Sequence, residues 1–168
     1  MKEIYSIEEY KNYDLYVTGH SLGGALAQVV AFALARDLKG YELGADKVTT
    51  YTYASPRVGN YSYQQEFVAL EKEAKLRHIR VSNHKDFIAT APTSFYYQTG
   101  VDVHAQADGE MTVDYLTDRS VLFQLSFGEM HKIANYSKNV NDGKNSQIVN
   151  MDAEEMYKKY AEEALKGL

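Results

Sequence analysis

An α/β fold with a mostly parallel sheet is what this sequence predicts, on three observations. Extended runs and apolar-periodic runs alternate in the order strand, helix, strand, helix, strand, which calls for right-handed crossovers and helices on both faces of a sheet. The stretch "LYVTGHSLGGALAQVVAFALARD" passes from an extended run into a long apolar helix through a turn of glycine and serine. "KVTTYTYAS" and "LRHIRV" are dense in β-branched and aromatic residues, the composition of strands.

Each element has its own signal. Ser6-Ile7-Glu8-Glu9 reads as a capping box and predicts a short helix ending near Lys11. Residues 15–18 are a short extended run. Residues 22–38 place Leu22, Ala25, Leu26, Val29, Val30, Ala33 and Leu34 on a wide helical stripe, and Gly40 and Gly44 close the helix. Its most apolar part, 25–35, is too short to span a bilayer and contains Gln28, so it reads as a buried helix. Residues 47–55 form a strand that Pro56 ends. A helix over 63–75 carries Phe67, Leu70 and Ala74 on one side, and a strand follows over 76–81. Residues 95–103 and 110–115, split by "ADGE", predict a hairpin on an Asp-Gly turn. Asp152, with Glu155 three positions on, opens an amphipathic helix running to Lys166. No repeat or composition shift divides the 168 residues, which read as one domain.

Composition removes several classes of function. A hydrophobic share of 45% with 24% charged residues is that of a globular chain and excludes a disordered or collagen-like one. The net charge of −5, with no basic stripe, argues against a nucleic-acid partner. Without cysteine there is no disulfide framework, thiolate nucleophile or thiolate zinc site. No two histidines have the i, i+4 spacing of a helical zinc site, so neither a metal nor another cofactor is expected. The first twenty residues lack the apolar core of a signal peptide and carry several acids. That predicts a cytoplasmic protein if the chain is complete, and a secreted one if a leader precedes it.

Gly19-His20-Ser21-Leu22-Gly23 carries the chemistry. A serine on a sharp strand-to-helix turn projects its hydroxyl above the sheet edge, and the Leu22 N–H points to where a carbonyl oxygen would become negative. The pattern alone occurs by chance in roughly one chain in twenty of this length; the preceding strand and following helix make it specific. The competing reading is that Ser21 only caps the helix. A serine nucleophile needs a base beside it. His20 adjoins Ser21 and is badly placed to reach it, while His78 sits within a predicted strand. His84, His104 and His131 remain. The chain order serine, acid, histidine of α/β-type hydrolases favours a late histidine preceded by a carboxylate at a strand end. Asp86 follows the strand 76–81, at the carboxyl end where sites in such sheets gather. Asp86 also reads as a solvated loop acid, and His131 as a surface histidine near a helix start. His104 with Asp102 is the second choice, though "VDVHA" alternates like a strand.

"VTGHSLGGALA", "TYTYASPRVGN", "HIRVSNHKDFIATAP" and "EMHKIANY" resemble, in order, motifs of the class 3 lipases. These are fungal-lipase-like α/β-hydrolases acting on acylglycerols and related esters. The resemblance runs over residues 13–136 and implies Ser21 as nucleophile, Asp86 as orienting acid and His131 as base, with acyl transfer through an acyl-enzyme. It implies that Pro56, Arg57, Val58 and Gly59 support the loop beside the acid. A small-molecule or lipid ester is the implied substrate, with contact at a lipid interface. An acyltransferase would use the same three residues.

The chain departs from the family before the serine turn. Members carry several strands, a loop giving a second oxyanion donor and a lid helix there, and nothing in "MKEIYSIEEYKNYDLY" resembles that loop. The expectation is an N-terminally truncated, partial α/β-hydrolase domain over 1–168 with a C-terminal helix. Its open sheet edge would be covered by a second copy or a partner chain. The alternative function is a weak or inactive fragment serving as a binding or partner-completed module. "YTYASPRVGNYSY" reads as a strand and turn at the sheet rim rather than a binding platform.

Overall fold

The computed structural model describes residues 2–42, 44–117, 128–141 and 143–168. A short helix α1 (Lys2–Tyr5) precedes β1 (Leu15–His20), α2 (Leu22–Arg36), β2 (Val48–Tyr53), α3 (Tyr61–Lys72) and β3 (Leu76–Asn83). Then come β4 (Val101–Ala105), β5 (Met111–Tyr115), α4 (Ile133–Val140) and α5 (Ser146–Val149). The C-terminal helix is α6 (Ala153–Met156), a π-helical stretch over Tyr157–Ala161, and α7 (Glu162–Gly167). The sheet has the order β1-β2-β3-β4-β5; the first four strands are parallel and β5 returns antiparallel. The mostly parallel α/β architecture is the one expected. So are the hairpin, whose turn puts Gly109 at φ 85, and the capping box of Asp152 and Glu155.

Both faces of the sheet are covered. Ala31, Ala35, Phe67 and Leu70 from α2 and α3 pack on Val48 and Leu76. On the other face Tyr136, Ala153, Met156 and Tyr157 pack on Ile79, Val81, Val101 and Val103. Burial of these apolar surfaces is what holds the layers together.

Local expectations fail where a side chain or a glycine overrules the pattern. Ser6 ends a helix instead of starting one: its Oγ turns back to donate to Glu3 O at 2.8 Å. Residues 6–12 continue as turns. α3 starts earlier than predicted because Asn60 accepts from Tyr63 N–H at 3.0 Å. It stops before Ala74, which is exposed at φ 57. Asp37 and Gly40 close α2, with Gly40 N–H donating to Asp37 Oδ1 at 2.8 Å. Residues 95–100 are not a strand: Phe95 is 85% exposed. Gly100, at φ 78, lies so close to β3 that a Cβ would come within 2.3 Å of His78 O.

The largest correction concerns α2. Its buried face is the small one, Gly24, Ala27, Gln28, Ala31 and Ala35. Leu22, Leu26, Val29 and Val30 face outward, Leu22 at 69% and Leu26 at 58% exposure. Small side chains let the helix sit close to the sheet, which turns the bulky stripe away from it. β1, which leads into α2, is an edge strand of the sheet.

Buried polar groups fasten the layers. Thr52 Oγ1 donates to His78 Nε2 at 2.8 Å, and His78 Nδ1–H to Thr99 Oγ1 at 3.0 Å. Thr99 donates on to Gln28 Oε1 at 3.2 Å, Gln28 Nε2 to Ser55 Oγ at 2.8 Å, and Ser55 to Pro56 O at 3.1 Å. This directional chain needs a neutral His78, and burial, with the Arg80 charge, pushes its imidazole down to about 3. On α3, buried Glu71 accepts from Tyr115 OH at 2.6 Å and Tyr157 OH at 2.5 Å.

Burial raises the Glu71 carboxyl from 4.5 to about 7, against the lowering effect of the two tyrosines and Arg77. Between those pH values the folded chain holds a proton that the unfolded chain has released, so rising pH favours unfolding. The advantage in unfolding free energy of the wild-type chain over Glu71→Gln is expected to fall by about 3 kcal/mol from pH 4.5 to 7. Urea titrations of the two proteins side by side cancel the opposing titration of His78. A difference that stays level across the window would contradict the burial argument.

Candidate active site

The turn after β1 is strained by design. Ser21 sits at φ 58, ψ −127, a conformation that non-glycine residues rarely adopt. Its N–H is tied to Tyr53 O at 2.9 Å. Two glycines make the close approach: a Cβ on Gly19 would lie 2.2 Å from Gly23 O, and one on Gly24 would lie 2.8 Å from Ser55 Cβ. Gly23, the last position of the motif, meets nothing. The close contact with the sheet is therefore made by the glycine after it. Ser21 makes no side-chain cap bond to α2, so the helix-cap reading does not hold. Its hydroxyl instead donates to His131 Nε2 at 2.7 Å.

His131 Nδ1 faces both oxygens of Asp86, at 3.1 and 3.0 Å. That carboxylate fixes the proton on Nδ1 and leaves Nε2 as the acceptor for Ser21. Asp86 is buried, not the solvated loop acid of the competing reading. The turn after β3 presents it: its N–H donates to Asn83 O at 3.1 Å, and its Oδ1 accepts from Ile88 N–H at 3.0 Å. Tyr136, on α4, donates to Asp86 Oδ2 at 2.6 Å and accepts from Asn83 N–H at 3.1 Å. Burial and the Asp86 carboxylate hold the Tyr136 hydroxyl far above the usual phenol range, so it remains a donor. His131 lies two residues before α4 with its side chain 21% exposed.

The structure thus brings Ser21, His131 and Asp86 into one hydrogen-bonded row, and Leu22 begins α2 beside them. The Leu22 N–H belongs to the first turn, where helix geometry provides no intrahelical acceptor, and the helix dipole adds partial positive charge. His104 is elsewhere: its Nδ1 meets Ser82 Oγ at 2.8 Å, and Ser82 donates to Asp102. His84 pairs its backbone N–H with Ala105 O at 2.8 Å. Arg57 braces the loop beyond Asp86, donating through Nη1 to Thr90 O and to Pro92 O, the latter at 2.8 Å. Gly59 bridges to Tyr97. Sequence reasoning assigned no role to Tyr136, although its place five residues after His131 was a signal. It also set His20 aside, whose ring reaches His131 O. A separate cavity of about 340 Å³ near Glu71, Arg77 and Tyr157 lies by the start of β3, away from the serine turn.

Comparison with known proteins adds a second line. The profile of the family described as Lipase (class 3) matches residues 1–96. A lipase of Caenorhabditis elegans is 42% identical over 67 residues, 40% of this chain and 18% of that protein. The chloroplastic phospholipase A1-Igamma1 of Arabidopsis thaliana is 36% identical over 101 residues, 55% of this chain and 18% of its own length. A solved triacylglycerol lipase, whose catalytic centre is described as a serine protease triad, superposes with a TM-score of 0.50 and 28% identity. That match covers 64% of this chain and 39% of the other. In each of these comparisons the chain spans well under half of the relative.

Proposed function

The chain belongs to the class 3 lipase family, and from that premise we propose that it is a serine ester hydrolase cleaving acylglycerols or related carboxylic esters. The observation that carries this reading is the row Ser21 Oγ, His131 Nε2, His131 Nδ1, Asp86. In the first step Ser21 Oγ attacks the ester carbonyl carbon while His131 Nε2 takes its proton. The carbonyl oxygen, now negative, is stabilised by the Leu22 N–H. His131 then gives the proton to the departing alcohol, leaving an acyl group on Ser21. A water deprotonated by His131 releases the acid and restores the serine. Asp86 keeps the ring in the receiving tautomer and offsets its charge. The lipase and phospholipase A1 relatives support a lipid ester as the substrate class.

The exposed stripe of α2 favours a second reading, a weak or inactive module completed by a partner or a second copy over the β1 edge. Basal activity distinguishes the two. The test is labelling of the folded chain by a fluorophosphonate, with peptide mapping, alongside hydrolysis of p-nitrophenyl butyrate. Labelling at Ser21 that disappears in Ser21→Ala is the expected result. A folded chain with no label at Ser21 would overturn the hydrolase reading and leave the module.

A further inference from the structure

The imidazole that faces Ser21 is not placed by secondary structure. Residues 128–132 form turns, with Lys132 N–H donating to Glu129 O at 3.2 Å. A turn of this kind does not by itself hold a ring to the few tenths of an ångström that proton transfer requires. Two side chains from strand ends grip consecutive carbonyls of this turn. His20 Nε2 donates to His131 O at 2.8 Å, and Asn83 Nδ2 donates to Met130 O at 3.3 Å. Asn83 is itself held, accepting from Asn139 Nδ2 at 2.9 Å. The His20 ring also packs 5.0 Å from the His131 ring and edge-on to Tyr136 at 5.9 Å.

A carbonyl only accepts, so His20 carries its proton on Nε2. Because His20 precedes Ser21 in the chain, its bond closes a short ring of contacts: Ser21 to His20 by the backbone, His20 to the His131 carbonyl, and the His131 ring to Ser21 Oγ. The separation of serine and imidazole is then tied to the end of β1. On the premise that Ser21 and His131 act as proposed, we infer that His20 is a positioning residue, donating to the His131 carbonyl to hold the base over the serine. Asn83 steadies the preceding carbonyl from β3.

The experiment compares two substitutions of similar size in the full chain. His20→Gln keeps an N–H donor and His20→Met lacks one. The fluorophosphonate labelling rate of Ser21 is expected to fall about 10- to 100-fold in His20→Met and to stay within about threefold of wild type in His20→Gln. The proton on His131 Nδ1, shifted far downfield in the NMR spectrum by its carboxylate partner, should persist in His20→Gln and broaden or vanish in His20→Met. A general packing role would lower the melting temperature of both variants while leaving the rate per folded molecule and the resonance unchanged. Equal labelling rates in the two variants, or a resonance that survives in His20→Met, would overturn the inference. If His20→Met does not fold, His20→Phe, which keeps the ring contact without the donor, takes its place. A folded wild-type chain that resists labelling overturns the hydrolase reading instead, and the resonance alone then decides the positioning.

Discussion

Asp86→Asn is expected to lower ester turnover by about 10⁴-fold while leaving the chain folded. The substitution is nearly isosteric; Ile88 N–H donates to Asp86 Oδ1 at 3.0 Å and Tyr136 OH to Oδ2 at 2.6 Å, so the single amide oxygen keeps one of these two bonds and gives up the other. What changes is the partner of His131 Nδ1. A carboxylate can only accept, so it holds the ring proton on Nδ1 and leaves the Nε2 lone pair for Ser21. An amide nitrogen facing the same atom donates, and it selects the opposite tautomer. Nε2 then carries the proton and has nothing with which to receive the serine's. The loss should appear in kcat for p-nitrophenyl butyrate and equally in the fluorophosphonate rate, since both begin with the same attack. Thermal unfolding within a few degrees of wild type would show that the defect is chemical. Retention of kcat within tenfold would remove Asp86 from the proposed row.

The parts of this arrangement that were legible in the sequence are those written in local chemistry. The serine turn, the β-branched runs of β2 and β3, the Asp-Gly hairpin and the capping box at Asp152 each rest on a few neighbouring residues. Ser21, Asp86 and His131 could be named because their order along the chain and the motifs around them narrow the choice. What could not be read is which face of a helix a sheet accepts. The stripe of leucine and valine on α2 looked like the buried side, yet the sheet takes the glycine and alanine side because Gly24 must pass Ser55 closely. Nor could the sequence reveal contacts that join distant segments. His20 and His131 are 111 positions apart, and Tyr136 reaches Asp86 across 50. Ser6 shows the opposite error, a local motif read correctly as a capping residue type but placed at the wrong end of its helix.

Asp102→Ala is expected to be the most destabilising of the substitutions considered, and for a reason unrelated to the proposed chemistry. Asp102 and Arg80 form an ion pair at 3.2 Å between side chains that are 0% and 2% exposed. Asp102 also accepts from Ser82 Oγ at 2.8 Å, and Ser82 meets His104 Nδ1. Removing the carboxylate takes this counter-charge from the buried guanidinium and this acceptor from the Ser82 hydroxyl. Breaking one side of a buried pair costs about 3–5 kcal/mol. In a chain of this size each kcal/mol moves the melting temperature by about 2–4 °C, so a fall of roughly 6–20 °C should be seen by calorimetry. The double substitution Arg80→Met with Asp102→Leu removes both buried charges together and should recover most of that loss, because neither charge then has to be held out of water. At a temperature where Asp102→Ala is folded, Ser21 should still label at close to the wild-type rate. That outcome separates this carboxylate from Asp86: His104 and Asp102 were the other pair able to serve as base and acid, and a buried pair that serves the sheet should cost stability without costing the reaction.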